Sequence, residues 1–319
     1  MIPRRICSFI EALSKTNPFT DKIIQNDLRE VASSNGKHII VEEHISPAKD
    51  ITRLGNGCSG YVDLVEREQC GNRFAQKNSN YPSMMLREVL ALLLLDDESI
   101  VNVYETGAND TGFVSRIDYL PNASVLKTIN LEDPEEVSKL LDSIRSIAKA
   151  LKHSHDKGII HRDIKPRNIL VSQNGTFLID FGIAMIKRDD IGIVVGTKNG
   201  CTMGTPDYIP PEQITNPGNA DFSSDIYSLA IVIYEMLTGK QPYGDYSKTV
   251  SEKLTDVMNE PPLDIRNISH IIKNEAFAKG LLGALAKGQQ DRIFKSTEEF
   301  VRFLDNVTPD KLMKKDALV

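Results

Sequence analysis

Residues 161–168 read His161-Arg162-Asp163-Ile164-Lys165-Pro166-Arg167-Asn168 and lie between two apolar runs, Gly158-Ile159-Ile160 and Ile169-Leu170-Val171. Polar residues this dense between segments that resemble buried strands indicate a loop held rigidly by the core. In such a loop, Asp163 can aim a carboxylate at a hydroxyl group and Asn168 can aim an amide oxygen at a metal ion. The stretch therefore predicts a rigid polar loop with the groups of a reactive site.

A glycine-rich segment precedes this loop in the chain: Leu54-Gly55-Asn56-Gly57-Cys58-Ser59-Gly60-Tyr61-Val62. Glycines let the backbone approach an anion closely and point amide groups at it. A dinucleotide-binding turn is the rival interpretation, but that turn requires the third glycine to open a helix. Here Tyr61 and Val62 follow Gly60, so a strand–loop–strand structure is predicted.

Lys77 ends a strand-like segment, Arg73-Phe74-Ala75-Gln76-Lys77, and a lysine at such a place is ordinarily a solvated surface residue. Its interpretation changes with Glu88, which lies inside the nearly continuous apolar run of residues 84–93. A glutamate on the buried face of a helix needs a partner. Lys77 is the candidate, and we expect the two side chains to pair.

Another acidic residue follows the polar loop at the end of a second strand, Thr176-Phe177-Leu178-Ile179-Asp180-Phe181-Gly182. The carboxylate of Asp180 and the amide oxygen of Asn168 are the hard oxygen ligands that Mg²⁺ prefers. Two histidines that precede the loop, His153 and His155, could suggest a metal site, but they are interpreted as helix-end residues that face carbonyl groups or solvent.

The chain after Gly182 predicts a polar loop and then a buried helix. The loop, residues 187–203, is followed by Gly204-Thr205-Pro206-Asp207-Tyr208 and by Pro210-Pro211-Glu212. A largely apolar helix is expected from Ser224 onward.

Composition limits the classes of function. The chain has 319 residues, 40% hydrophobic and 26% charged residues and a net charge of −6, which is typical of a soluble globular protein and argues against a nucleic-acid surface. No run approaches the roughly 20 apolar residues of a bilayer span, so no transmembrane segment is predicted. The four cysteines are scattered, which fits a reducing compartment better than a disulfide scaffold or a zinc site. We expect a cytoplasmic protein, and delivery outside the producing cell by a non-classical route stays open.

The chain resembles the eukaryotic-like Ser/Thr protein kinases, because seven elements of that family occur in order between about residues 50 and 305. These elements are Gly55/Gly57/Gly60, Lys77, Glu88, the His-Arg-Asp loop with Asn168, Asp-Phe-Gly at 180–182, Pro-Pro-Glu at 210–212, and Asp225 with Arg292. Pro-Glu-Gln at 211–213 is also similar to bacterial members. Pro210 is a departure from the family pattern, which has alanine there, and Ala230 stands where glycine is usual.

The resemblance implies an α+β, bilobal protein-kinase-like fold with a small antiparallel-sheet lobe and a larger helical lobe. It places the kinase domain at residues 46–306, with the small lobe at 46–118, a hinge at 118–122 and the large lobe at 123–306. It also implies that Arg292 pairs with Glu212. Residues 307–319 are expected to be a polar tail.

Residues 1–45 are expected to be an N-terminal helical extension. Ile24, Leu28 and Val31 follow helical spacing, as do apolar residues between Ile6 and Leu13. Acidic residues lie among these apolar positions, so packing on the main domain is favoured over a partner-docking or membrane-surface helix.

The resemblance also implies a role for each site residue. Asp163 would accept or orient the proton of the substrate hydroxyl, Lys165 would stabilise the transferred phosphoryl group, and Mg²⁺ would be held by Asn168 and Asp180. The implied cofactors are ATP and Mg²⁺, and the implied partners are proteins that present Ser or Thr. The residues expected to bind ATP are Leu54, Gly55, Asn56, Gly57, Gly60, Val62, Ala75, Lys77, Glu88, Asp118, Leu120 and Leu170.

The loop between Asp180 and Glu212 is expected to act as a phosphorylation switch. Arg162 has no obvious acidic partner in the sequence, and a phosphate can bind an arginine bidentately. Thr202 is the favoured site, followed by Thr197, and a transient dimer would allow autophosphorylation. In the alternative, Asp189 or Asp190 pairs with Arg162 and the enzyme is constitutively active.

Two other functions remain as alternatives. A pseudokinase would bind partners without catalysis, but the set Lys77, Asp163, Asn168 and Asp180 is intact. A small-molecule phosphotransferase would share the catalytic loop, but such enzymes usually lack a Gly-Thr-Pro-x-Tyr segment followed by Pro-Glu, which shapes a groove for a peptide.

Overall fold

The computed structural model describes residues 22–45, 48–57, 60–67, 71–109, 112–188, 193–195, 205–243 and 247–313. These residues form two compact units. The first unit contains the described residues up to Ala123, Lys157–Ile159 and the described part of Ile179–Lys198. The second unit contains Ser124–Asp156, Ile160–Leu178 and the described residues after Asn199.

The first unit is built on a six-stranded sheet with the spatial order β1-β5-β6-β4-β3-β2. Every neighbouring pair in this sheet is antiparallel except β1 and β5, which are parallel. The strands are β1 (Ile40–His44), β2 (Lys49–Gly57), β3 (Gly60–Glu66), β4 (Arg73–Ser79), β5 (Val103–Asn109) and β6 (Gly112–Asp118). A separate antiparallel pair consists of β11 (Met185–Arg188) and β12 (Ile193–Val195).

Among the residues that the structure describes, this unit has two helices, α1 (Lys22–Ser34) and α2 (Pro82–Leu94). Helix α2 is apolar almost all round and nearly completely buried, as expected for a helix covered on every side. Helix α1 packs against α2 through a face that includes Leu28 and Val31. The expected extension thus contains one helix and the edge strand β1, while the expected helix between Ile6 and Leu13 lies outside the described residues.

The second unit is mainly helical. Its longer helices are α3 (Pro134–Asp156), α5 (Phe222–Thr238), α6 (Val250–Asn259), α8 (Glu275–Ala284) and α9 (Thr297–Asp305). Shorter helices are α4 (Pro211–Thr215), α7 (Ile265–Ile268) and α10 (Pro309–Met313). A small sheet has the order β10-β9-β7, with β7 at Ser124–Val125, β9 at Ile169–Ser172 and β10 at Gly175–Leu178. The short strand β8 is Ile159–Ile160, of which Ile159 belongs to the first unit.

Helix α5 is the most buried helix of the second unit, and its sequence explains where it begins and ends. Asp221 and Ser224 form a capping box at its first turn, and Gly239 ends it in the left-handed conformation with φ 68°. The run between them is largely apolar and buried. This helix therefore provides a rigid base for residues that contact its first turn.

The sheet-rich first unit and the mainly helical second unit confirm the predicted α+β class. The parallel pairing of β1 with β5 was not predicted, because a five-residue segment at a sheet edge gives no local signal of its partner strand. In the part of the chain that the structure describes, no helix is long and apolar enough to cross a bilayer.

Candidate functional site

Lys77 lies between two carboxylates in the first unit. Its Nζ is 2.7 Å from Oε2 of Glu88 and 2.7 Å from Oδ1 of Asp180. Strand β4 supplies the lysine and helix α2 supplies the glutamate, so two elements of secondary structure fix the pair. The predicted pairing of Lys77 with Glu88 is present, and Asp180 joins it.

Burial and charge act in opposite directions on these groups. Burial raises the pKa of Glu88, and the positive charge of Lys77 and a hydrogen bond from the backbone N–H of Phe181 only partly offset it. Burial lowers the pKa of Lys77, but the charges of Asp180 and Glu88 outweigh it and the net shift is upward. Lys77 is therefore held as a cation near neutral pH, with its position defined from two sides.

The Asp-Phe-Gly segment has an unusual backbone at Asp180, where φ is +67°. Positive φ in a residue other than glycine is uncommon and is found at functional sites. Helix α2 also contacts this segment, because Nη1 of Arg87 donates a hydrogen bond of 3.4 Å to the carbonyl oxygen of Gly182. The helix that carries Glu88 and the segment that carries Asp180 are thus joined at more than one point.

The three glycines of the predicted loop have different surroundings. Strands β2 and β3 pair antiparallel up to Gly57 and Gly60, which confirms the strand–loop–strand prediction, while Cys58 and Ser59 lie outside the described residues. A Cβ added to Gly60 would lie 1.8 Å from the carbonyl oxygen of Asn78, but one added to Gly55 would meet nothing within 4 Å. Packing therefore requires glycine at position 60, and it does not explain glycine at position 55.

Two of the residues expected to bind ATP lie at the end of strand β6: Asp118 is its last residue, and Leu120 follows it. The backbone N–H of Asp118 donates to the carbonyl oxygen of Asn102 at 3.1 Å. Its carboxylate accepts from the hydroxyl of Tyr104 at 2.6 Å and from the backbone N–H of Asn102 at 2.7 Å. Because the backbone N–H of Asp118 is engaged by Asn102, the expectation that Asp118 binds ATP is restricted to its carbonyl oxygen.

Three predicted catalytic residues come together in the second unit. Nζ of Lys165 is 2.6 Å from Oδ2 of Asp163. Nδ2 of Asn168 donates to the carbonyl oxygen of Asp163 at 2.8 Å and to its Oδ2 at 3.1 Å. The turn Pro166–Asn168 is a 3₁₀ helix that brings the asparagine back to the aspartate. The carboxylate of Asp163 is thus oriented by one cation and one amide.

A buried carboxylate on helix α5 holds this loop. Asp225 accepts hydrogen bonds of 2.8 Å from the backbone N–H groups of both His161 and Arg162. Nε2 of His155 lies 2.8 Å from Oδ2 of Asp225, and Nδ1 of His155 lies 2.6 Å from the hydroxyl of Thr297. The expectation that His155 faces carbonyl groups or solvent is wrong, because the fold brings the end of α3 against a carboxylate distant in sequence.

Arg162 has a positive φ of 71° and a buried side chain. Burial lowers the pKa of its guanidinium, and the charge of Asp225 partly offsets that shift. Asp225 lies more than 60 residues away in the chain, and its hydrogen bond goes to the backbone N–H of Arg162. Its carboxylate acts on the guanidinium through charge, an effect that depends on tertiary structure and that the sequence did not show.

Glu212 and Arg292 form the predicted ion pair. The guanidinium donates two hydrogen bonds to the carboxylate, of 2.9 and 2.7 Å, and both side chains are buried. Ser224 donates to the same carboxylate at 2.6 Å. The hydrogen bond from Ser224 ties the segment after the polar loop to the first turn of α5, and the bidentate pair ties the same segment to Arg292.

The remaining predicted residues lie in both units. Val62 and Ala75 are on strands β3 and β4, Leu54 is exposed on β2, and Leu170 is on β9 of the second unit. Arg53 donates to the side-chain oxygen of Asn56 at 2.9 Å.

Thr197 and Thr202 lie outside the described residues, as do Asp189 and Asp190. Among the side chains that the structure describes, no group of three or more His, Cys, Asp or Glu is arranged to hold a metal ion.

Comparison with known proteins places these groups in context. The model of the protein kinase domain family matches residues 48–308. The serine/threonine-protein kinase PknB of Mycobacterium leprae is 34% identical over 221 residues, 66% of this chain and 34% of that protein. The kinase PrkC of Bacillus subtilis is 33% identical over 234 residues, 70% of this chain and 35% of that protein.

A probable serine/threonine-protein kinase of Clostridium perfringens is 34% identical over 267 residues, 79% of this chain and 37% of that protein. The chain thus spans about a third of the length of these curated relatives. Helix α1 and strand β1 precede the part that matches the family model.

Proposed function

Since the chain belongs to the protein kinase domain family, we propose that it transfers the γ-phosphoryl group of Mg-ATP to Ser or Thr hydroxyls of protein substrates. The observation that carries this proposal is Lys77, whose Nζ lies 2.7 Å from both Glu88 and Asp180. Phosphoryl transfer depends on positioning and charge stabilisation, and a lysine held in this way is prepared to contact phosphate oxygens. The names of the bacterial relatives support Ser and Thr as acceptors.

Each of the other residues has a matching role. Asp163 accepts or orients the proton of the attacking hydroxyl, and its partners Lys165 and Asn168 hold its carboxylate in place. Lys165 stabilises charge on the transferred phosphoryl group. The open space around Gly55 suits the approach of a triphosphate, because no atom of the described residues lies within 4 Å of a Cβ added there.

The donor chemistry of two residues fits Mg²⁺. Asp180 has a carboxylate whose side chain is 37% exposed, and Asn168 uses its Nδ2 as a donor to Asp163, which leaves its amide oxygen as a metal ligand. When bound, the ion would neutralise charge on the phosphate oxygens. Asp180 and Asn168 are therefore the residues that would hold it.

The test uses the purified full chain with labelled ATP, Mg²⁺ and a generic basic protein. We expect Lys77→Met and Asp163→Asn each to lower the labelling rate on the order of a hundredfold or more, because each removes a preorganised contact. Lys49→Met is the matched control, since Lys49 is an exposed lysine of the same sheet. Equal labelling by wild type and both variants would contradict the assigned roles, and mainly phosphotyrosine in the product would contradict the acceptor class.

Phosphorylation of the loop between Asp180 and Glu212 is the second part of the proposal, with Thr202 and then Thr197 as the sites. A phosphate there would approach Arg162 in competition with the charge of Asp225. We expect the double variant Thr197→Ala/Thr202→Ala to phosphorylate an added substrate more slowly, while Thr128→Ala, at an exposed position, keeps the wild-type rate. An unchanged rate in the double variant, with no phosphate on this loop in the active wild type, would remove the switch.

A further inference from the structure

Lys37 lies between helix α1 and strand β1, before the part of the chain that matches the kinase family. Its Nζ donates to the carbonyl oxygen of Leu92 at 2.8 Å, to the carbonyl oxygen of Leu95, and to Oδ1 of Asn102 at 3.0 Å. Three acceptors use all three donors of an ammonium group. Because all three donors are used, these hydrogen bonds fix the positions of the two carbonyl groups and of the Asn102 side chain.

Two of the acceptors belong to the C-terminal end of helix α2. The last carbonyl groups of a helix have no partner within the helix, and they carry partial negative charge that favours a cation. Helix α2 has no basic residue of its own in its last turn. Lys37 provides that charge from another segment, and the same helix carries Glu88, the partner of Lys77.

The third acceptor leads from Lys37 to strand β6. The side-chain oxygen of Asn102 binds Lys37, while its Nδ2 donates to Oδ2 of Asp118 at 3.2 Å. The backbone of Asn102 forms a further bond with Asp118 in each direction. Asp118 is one of the residues expected to bind ATP, so this asparagine connects Lys37 to the end of strand β6 that is proposed to bind the nucleotide.

The surrounding fold holds Lys37 in place. Leu28 and Val31 of helix α1 are fully buried, and α1 packs against α2. On the other side, β1 pairs with β5, and the N–H of Ile45 donates to the carbonyl oxygen of Ala108 at 3.0 Å. Lys37 therefore lies between two anchored elements.

Burial and charge act in opposite directions on Lys37 at this half-buried position. Burial lowers the pKa of Lys37, and the charges of Asp96 and Asp118 partly offset that shift. The three acceptors replace the water that the ammonium loses.

We propose that Lys37 is a positioning residue that holds the Glu88 helix and Asp118 in the arrangement needed for nucleotide binding and phosphoryl transfer. This inference rests on the proposed kinase function. Lys37 acts through Glu88 and Asn102 and contacts neither ATP nor the substrate. The N-terminal extension is thereby an integral part of the nucleotide site.

The test compares Lys37→Met, Lys37→Arg and the control Lys49→Met, which removes an exposed lysine of the same unit. We expect Lys37→Met to raise the Kd for ATP about tenfold and to speed hydrogen exchange at residues 82–95 and 113–118. Lys37→Arg keeps a cation and should restore most of the affinity, and Lys49→Met should match the wild type. These measurements need no phosphoryl transfer, so they decide the inference even if the chain proves inactive.

The variant Asn102→Ala separates the contacts of Lys37 with helix α2 from its link to Asp118. It replaces Lys37→Met in the test if that variant does not fold. It keeps the contacts of Lys37 with the helix but removes the side-chain link to Asp118. We expect a higher KM for ATP with a smaller change in kcat, whereas Lys37→Met should change both. Wild-type ATP affinity and wild-type exchange at residues 82–95 in Lys37→Met would overturn the proposal. Faster exchange throughout the sheet, without preference for these two segments, would also overturn it.

Discussion

Gly60 and Gly57 are three residues apart, yet they are glycine for different reasons. Gly60 has φ +152°, and a Cβ there would lie 1.8 Å from the carbonyl oxygen of Asn78 on the neighbouring strand. A Cβ on Gly57 would meet its nearest atom at 3.8 Å, which is ordinary contact. Position 60 is thus constrained by the sheet, and position 57 is free of such a constraint.

Substitution by alanine should separate these two reasons. We expect Gly60→Ala to lower the free energy of unfolding by about 1–3 kcal/mol, because overpacking forces the strands apart. Gly57→Ala should retain or slightly raise stability, because alanine restricts the unfolded chain, and it should weaken ATP binding if the backbone there approaches phosphate. Thermal denaturation and ATP titration of both variants make the comparison. Equal melting temperatures for Gly60→Ala and the wild type would contradict the packing argument.

At the level of single residues, the sequence predicted groups whose chemistry is unusual for their surroundings. Glu88 inside an apolar run required a positively charged partner, and Nζ of Lys77 lies 2.7 Å from its carboxylate. His155 and Asp225 gave no such signal, because a histidine at a helix end and an aspartate in a first turn are ordinary. Their pairing arises only when helices α3 and α5 meet.

Helix α5 organises the second unit through its first turn. Asp225 in that turn is fully buried and accepts from two backbone N–H groups of the loop that carries Asp163. Burial acts to raise the pKa of Asp225, but the hydrogen bond and charge of His155, together with the charge of His161 and the N–H of Arg162, outweigh it and lower the pKa.

The lowered pKa of Asp225 predicts a pH dependence of stability. A carboxyl group that binds its proton more weakly in the native state adds stability above its ordinary pKa of about 3.9, and that stability is lost as the pH falls through the native value. We expect Asp225→Asn to be less stable near neutral pH by about 3–5 kcal/mol, as for other broken buried pairs. The difference should shrink in acid. Urea unfolding of both proteins between about pH 7 and pH 3 measures this, and a constant difference would contradict the assigned role of the carboxylate.

Elements with long periodic patterns were predicted well. The helical spacing of Ile24, Leu28 and Val31 predicted helix α1, and the glycine segment followed by Tyr61 and Val62 predicted the pairing of β2 with β3. The parallel pairing of strand β1 with β5 was missed because it depends on residues far along the chain. Short edge strands of this kind carry little local signal.

For the whole molecule, the order of motifs was sufficient to predict the family and the α+β class, and the match at residues 48–308 confirms the family. The sequence could not predict the network around Lys37, because a lysine after a helix is ordinarily solvated. Its three acceptors come from separate positions between Leu92 and Asn102, which only the folded first unit brings together.

The first unit is discontinuous in the chain, and this affects how it is completed during synthesis on the ribosome. A nascent chain that has emerged as far as Ala123 already contains all six strands and helix α2, so Lys77 can pair with Glu88. Asp180 is added only after helix α3 and the loop with Asp163 have been translated. Since synthesis proceeds from the N-terminus, Glu88 is available as a partner for Lys77 before Asp180 has been translated.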